Sequence, residues 1–462
     1  MSEEKQSLIR EELKDKSARS TDATENDQLF IGNSFDDKQY STSNTKYIQD
    51  HPVTSDSPRN VEDLTTVFET FWNICNTIQG LPILAIPYTF KSGGWWSLLS
   101  LLVIAVTSNY TSMILVKSLY ETRDGVVVRV RASYMDIGEA FWNTGGRTLV
   151  LVVMVIELVF VSTMYPILVG SMFDKSFPNV DIPLWAWTMI GGIALLPNVL
   201  LKNLSQVAFT SIVTVTSAMI IFVSILAYTF MNFQRWEIKN MNNFEANEFP
   251  AALGILVACY LAQPFTPFIE STMKKPEKFA STLNFSFIAM TAVNIIVGFM
   301  ADITFYPDTE EVITNNLPIG IFRQVVNAMA AILAFTSYTL PMFTSFDIIE
   351  NSNMLCIPVG FGENIYRLPV QTLRLSLVIA TIFMAAFIPK FTFLLAFVGS
   401  VTGITLEFIF PALFHMKIYC SELRWWQFGI DITVVFIGTM AMTISLIVSW
   451  ISMYDCFIGQ KC

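Results

Sequence analysis

The chain of 462 residues is 53% hydrophobic and only 14% charged, with 38 Phe, too apolar for a water-soluble fold of that size. Its net charge of −10 and pI near 4.9 do not suggest a nucleic-acid partner, and six scattered cysteines without CxxC spacing suggest neither a disulfide framework nor a metal site. What is left is an all-α polytopic membrane protein whose first partner is the lipid bilayer.

In chain order, the first 62 residues hold thirteen acids against eight Lys/Arg and no lasting apolar period. Residues 1–67 are therefore expected to form a disordered N-terminal tail. The first apolar segment starts near residue 68, without the marks of a secretory signal. Within the tail Glu4, Leu8 and Ile9 (EKQSLI) fit the acidic dileucine pattern read by sorting adaptors. A frayed amphipathic turn accounts for so short a pattern about as well.

Eleven apolar spans follow within a transporter domain of residues 68–462, at about 68–92, 95–119, 147–173, 183–201, 207–231, 251–272, 281–305, 321–349, 371–388, 391–415 and 428–453, each of about the length that crosses the hydrocarbon. Arg123, Arg129, Arg131, Lys274, Lys275 and Lys278 then fall on the side of the tail. The positive-inside rule puts that side in the cytosol.

Two spans cannot be continuous helices. In the first, Asn73, Asn76, Thr77 and Gln79 precede Gly80, Pro82 and Pro87. A proline has no N–H and crowds the carbonyl four residues back, and glycine lets the backbone unwind between them. In the sixth, Pro264 and Pro267 interrupt a segment carrying Tyr260, Gln263 and Glu270. Broken backbone in a bilayer survives only where protein buries it or it lines a cavity. Paired breaks opening corresponding halves point to the substrate site of an inverted-repeat transporter. Residues 68–231 and 251–415 are thus expected to be two five-span repeats, with 428–453 as one extra helix; unrelated helices kinked by proline are the alternative.

A half-helix start attracts a carboxylate and a half-helix end attracts an ammonium. Asn73, Asn76, Thr77, Gln79 and Gly80 are accordingly candidate substrate residues, together with Tyr260 and Gln263 at the second break. Polar packing between helices is an equal account of the two asparagines. Tyr165 and Tyr338 are candidate walls. Glu157 lies among apolar residues in the third span, where a carboxylate is costly and function is the default reading; it is the first candidate for proton coupling. Glu270 is either a gate or a salt-bridged helix end, and Glu407 is a further proton candidate. Glu407 follows the small-residue stretch GSVTG (399–403), which lets helices approach closely. Asp302 and Asp347 are expected at the membrane interface. Enzyme signatures such as a Walker loop, HExxH or GxSxG are missing, so the expected source of work is an ion gradient, with no cofactor.

With these residues in view the chain resembles the amino acid/auxin permease family, in particular its vesicular branch. The likeness covers nearly everything after residue 68 and is most specific at NTIQGLPILAIPY (76–88), DGVVVRVRASY (124–134), IEL (156–158) with Tyr165, LLKNL (200–204), EVITNNLP (311–318) and FPALFH (410–415). The resemblance implies an eleven-span inverted-repeat fold like that of the bacterial leucine transporter. It also implies exchange of lumenal protons for small neutral amino acids, GABA and glycine, in synaptic-type vesicles, with a chloride contribution. SYTLPM (337–342) departs from the branch's SYPLPF, and Glu407 stands where an apolar or small residue is usual. A vesicular or lysosomal permease of other specificity, or a membrane amino acid sensor, stays open as an alternative.

Overall fold

The computed structural model describes residues 47–48, 64–78, 80–123, 125–200, 204–242, 244–351, 368–388 and 391–457. Gln79 and the tail positions Glu4, Leu8 and Ile9 lie outside them. Everything described belongs to one unit beginning at Tyr47.

Where the prolines stand, the helices stop. The first span starts on a reciprocal cap, Thr66 N donating to Glu69 Oε2 at 2.7 Å and Glu69 N to Thr66 Oγ1 at 3.3 Å, which satisfies two donors at the helix start. Helix α1 (Val67–Ile78) then ends, a 3-10 turn occupies Leu81–Ala85, and α2 (Ile86–Gly93) restarts with Pro87 in its first turn. Gly94, at φ 50°, turns the chain directly into α3 (Trp95–Lys117). The sixth span breaks in the same way. Helix α8 (Phe249–Ala258) gives way to irregular backbone over residues 259–265, and α9 (Thr266–Ser271) restarts around Pro267.

Between them run α4 (Tyr134–Phe141), α5 (Gly146–Ser176), α6 (Leu184–Ile193) with a 3-10 turn at Leu196–Leu200, and α7 (Leu204–Met231). After α9 come α10 (Phe279–Phe305), α11 (Ile321–Asn351), α12 (Leu368–Phe387), α13 (Phe391–Val398), α14 (Phe410–Ile418) and α15 (Trp425–Phe457). Between α13 and α14 the helix widens into two π-helical stretches, Gly399–Gly403 and Thr405–Ile409. Eight helices among the described residues are long and apolar enough to cross a bilayer, counting α13 to α14 as one. They fall on eight of the eleven predicted spans; the other three, 68–92, 183–201 and 251–272, are assembled from shorter pieces. A broken helix opens each of the stretches 68–231 and 251–415. Within these stretches α5 and α11 are each 31 residues long with an internal proline, Pro166 and Pro341.

One departure from all-α is a three-stranded sheet of β1 (Tyr47–Ile48), β2 (Tyr120–Arg123) and β3 (Val126–Arg129). β2 and β3 form a hairpin with Gly125 at φ 79°, and β1 pairs with β3 in parallel, Tyr47 opposite Val127. Sheet pairing here draws in a stretch of the expected tail. At this end of the bundle Thr65 N donates to Thr272 O at 2.7 Å and Lys274 N to Thr65 O at 2.9 Å. The start of α1 is thereby tied to the end of α9.

Apolar residues divide between core and outer surface. α5, α7, α11 and α13 enclose the largest core, with Leu168, Ala334, Tyr338 and Leu395 at 0% exposure. The most apolar stretch of 391–418 is 72% buried, against 17% for that of α15. α15 thus stands at the periphery, presenting Phe436 and Ile447 outward, the surface that lipid solvates. Helix α8 meets α13 and the π-helical stretch after it backbone to backbone, because a Cβ on Gly254 would stand 2.4 Å from Ala396 O and one on Gly399 1.8 Å from Gly254 O.

Candidate functional site

The two breaks lie against a common cavity of about 90 Å³, large enough for several waters or one small solute. Asn76, Thr77 and Gly80 come to its wall from the first break, and Ala258, Leu261 and Phe265 from the second. Glu157 and Tyr165 reach it from α5, two turns apart on one face, and Thr336, Ser337 and Pro341 from α11. Five predicted residues, Asn76, Thr77, Gly80, Glu157 and Tyr165, are therefore brought together.

Glu157 is 2% exposed. The Thr402 hydroxyl, on the first π-helical stretch, faces its carboxyl, while Oε2 has no hydrogen-bond partner among the described residues. No Lys, Arg or His lines the cavity. A buried carboxylate in that state is costly unless a proton or a cation occupies it.

Glu407 stands off the cavity, on the second π-helical stretch, and holds the second break together. Gln263 N donates to its Oε1 at 3.1 Å and Ser108 Oγ to its Oε2 at 3.1 Å. A π-turn frees carbonyls from the helix ladder. Here Leu406 O accepts from the Tyr134 hydroxyl at 2.7 Å and Glu407 O from Gln263 Nε2 at 3.2 Å. Gln263 is thus turned away from the cavity and spent on this network.

Other predicted residues take different places. Tyr260 faces α10, its hydroxyl 2.9 Å from Thr291 Oγ1 and its ring stacked on Phe287 at 5.9 Å. Tyr338 is fully buried behind the wall. Its ring meets that of Tyr165 edge-on at 6.0 Å, and its hydroxyl lies 3.1 Å from Thr381 Oγ1. Asn73 is exposed and off the cavity, its carbonyl accepting the Thr77 hydroxyl at 2.8 Å. Glu270 lies at the sheet end, 3.2 Å from the Arg129 guanidinium, with exposures of 1% and 5%; the Tyr120 hydroxyl also donates to it. Arg129 further donates to Pro267 O at 3.0 Å and Ala132 O at 3.1 Å, so strand β3 clasps α9.

Asp302 does lie in the last turn of α10, near a span end as expected, but it is 0% exposed, with neither carboxyl oxygen hydrogen-bonded among the described residues. Sequence reasoning also missed Thr214 and Thr336, whose hydroxyls meet at 2.7 Å on the cavity wall. Threonine is common in membrane helices and usually bonds its own backbone, as Thr336 also does to Ile332 O at 2.9 Å. No sequence signal separates the two cases.

Interrupted helices enclosing a small cavity within a bundle of apolar spans define a membrane transporter. Residues 63–451 match the family model described as transmembrane amino acid transporter protein, and the chain belongs to that family. It is 36% identical over 388 residues to the vesicular inhibitory amino acid transporter of Xenopus tropicalis, covering 81% of this chain and 74% of that one. The human protein of the same description is 34% identical over 386 residues, covering 81% and 73%. The vesicular GABA transporter of Caenorhabditis elegans is 30% identical over 380 residues, covering 81% and 77%. The family is one of transporters, not enzymes.

Proposed function

We propose that the protein loads small neutral amino acids, GABA or glycine, into an acidic vesicle in exchange for lumenal protons. The observation that carries this reading is a cavity between two broken helices whose one carboxylic acid, Glu157, has an unsatisfied oxygen and no cation beside it. The descriptions of the relatives name inhibitory amino acids, GABA and a vesicle. The basic sheet end would face the cytosol by the positive-inside rule, where Glu4, Leu8 and Ile9 would meet a sorting adaptor. A substrate would place its carboxylate at the half-helix N–H groups of the first break and its ammonium toward acceptors across the cavity. Rocking of the bundle about the cavity would open it to each side in turn. Chloride, if it contributes, acts on this cycle as a second ion.

The test is uptake of labelled GABA, glycine and alanine by the full chain in sealed proteoliposomes with an imposed inside-acid gradient. Uptake of GABA or glycine that a protonophore abolishes is the expected result. Movement of larger neutral amino acids alone, or exit of amino acid together with protons, would refute vesicular loading.

A further inference from the structure

We propose that the Glu157 carboxylate is one shared site, occupied either by a proton or by the ammonium group of the substrate, so that each displaces the other. The inference rests on the transport reading above. A zwitterion entering a buried, mostly apolar cavity needs a partner for each end. Glu157 is the one carboxylate on the wall, and the Tyr165 phenol is the other titratable group there. No Lys, Arg or His lines the cavity to take a carboxylate. The second break offers little either, since its Gln263 N–H already donates to Glu407 and its Phe265 and Thr266 N–H groups to Ala262 O at 3.1 and 3.0 Å. The substrate carboxylate is thus left to the first break, and its ammonium to Glu157.

Of the groups around Glu157, Glu407 and the Tyr134 phenol are within electrostatic reach of it, and neither lines the cavity. The wall positions from α1, α7, α8 and α11 bring no acid or base to it. A carboxyl so enclosed releases its proton when an ammonium arrives and regains one when the ammonium leaves. One proton therefore moves for each zwitterion bound. The bare carboxylate, with neither occupant, is the costly state. This arrangement couples the two fluxes without a second site. It also sets the substrate class, an amine carrying a single carboxylate, since a second carboxylate would find no cation.

The experiment is binding of labelled GABA and glycine to the purified full chain in nanodiscs, from about pH 5 to about pH 8.5, where both ligands keep their ammonium. Competition for one site predicts a Kd that falls by up to about tenfold per pH unit on the acid side of the carboxyl's titration and then levels off. On that acid side, binding in weak buffer should release about one proton per ligand, and neither butyrate nor glutamate should displace the label. Binding whose Kd is flat over the range, with no proton released, overturns the shared site and leaves the transport reading standing. Absence of binding for GABA, glycine and alanine alike overturns both. Glu157→Gln separates the readings further. A site for protons alone would treat the variant as its protonated form and bind as wild type, refuting the proposal, whereas the shared site loses binding at least tenfold. Wild-type proton release decides the matter should that variant not fold.

Discussion

Replacing Arg129 by Met isolates the clasp between β3 and α9. Met keeps much of the apolar stem but removes an ion pair of 3.2 Å to Glu270 and the bonds to the carbonyls of Pro267 and Ala132. The Glu270 carboxylate, 1% exposed, then stays buried without that cation, a change that costs about 3–5 kcal/mol when one partner of a buried pair is removed. Glu270→Gln leaves Arg129 its carbonyl acceptors and should cost less, about 1.5–3 kcal/mol, the worth of a charged hydrogen bond. The double variant has no unpaired carboxylate, so it should be more stable than the sum of the two losses requires, by about 0.5–3 kcal/mol. Buried Cys75 and Cys259 report the unfolding. A thiol-reactive dye labels them as the detergent-solubilised protein melts, and the four proteins form a double-mutant cycle. Losses that add to within about 0.5 kcal/mol would refute the clasp as an interacting pair.

Glu407→Leu should destabilise the protein by about 1–3 kcal/mol, because the buried Gln263 N–H loses its acceptor. Glu407→Gln, which keeps an oxygen there, should cost less in the same melt, and the reverse order would sink the capping role. Gly399→Ala must drive a methyl to within 1.8 Å of Gly254 O, so it should cost about 1–3 kcal/mol or prevent folding. Gly429→Ala on α15 meets nothing within 4 Å and should be neutral or stabilise by about 0.5–1 kcal/mol; equal behaviour of the two alanines would remove the close-contact argument.

Both helix breaks were legible because proline and glycine act on local backbone, whatever surrounds them. Glu157 was legible for a related reason, since a lone carboxylate in an apolar run has a cost independent of its neighbours. The partners were not legible. Arg129 and Glu270 are brought together by the β2–β3 hairpin across a long stretch of chain, and Gln263 faces Glu407 because the helix there takes π rather than α geometry, which shifts the side chains of residues 399–409 around the axis. Polarity alone suggested Asn73 and Tyr260 for the cavity, but helix phase turned Asn73 outward, and the irregular backbone of the second break turned Tyr260 to α10. Conversely the hydroxyls of Thr214 and Thr336 reach the wall with no mark in the sequence to announce them.

The second broken helix has its two pieces fastened to different neighbours. On one side of the break the glycine contact locks α8 to α13, leaving no gap in which one could slide past the other. On the other side the Arg129–Glu270 pair locks α9 to the hairpin. Displacement of one fastening relative to the other must be absorbed by the torsions of residues 259–265, which serve as a flexure between two stiff levers. Since α13 continues into the stretch bearing Thr402, a swing of α8 carries the hydroxyl that faces Glu157. Displacement at the break would in this way be felt at the carboxyl, through the contact between Gly254 and Gly399.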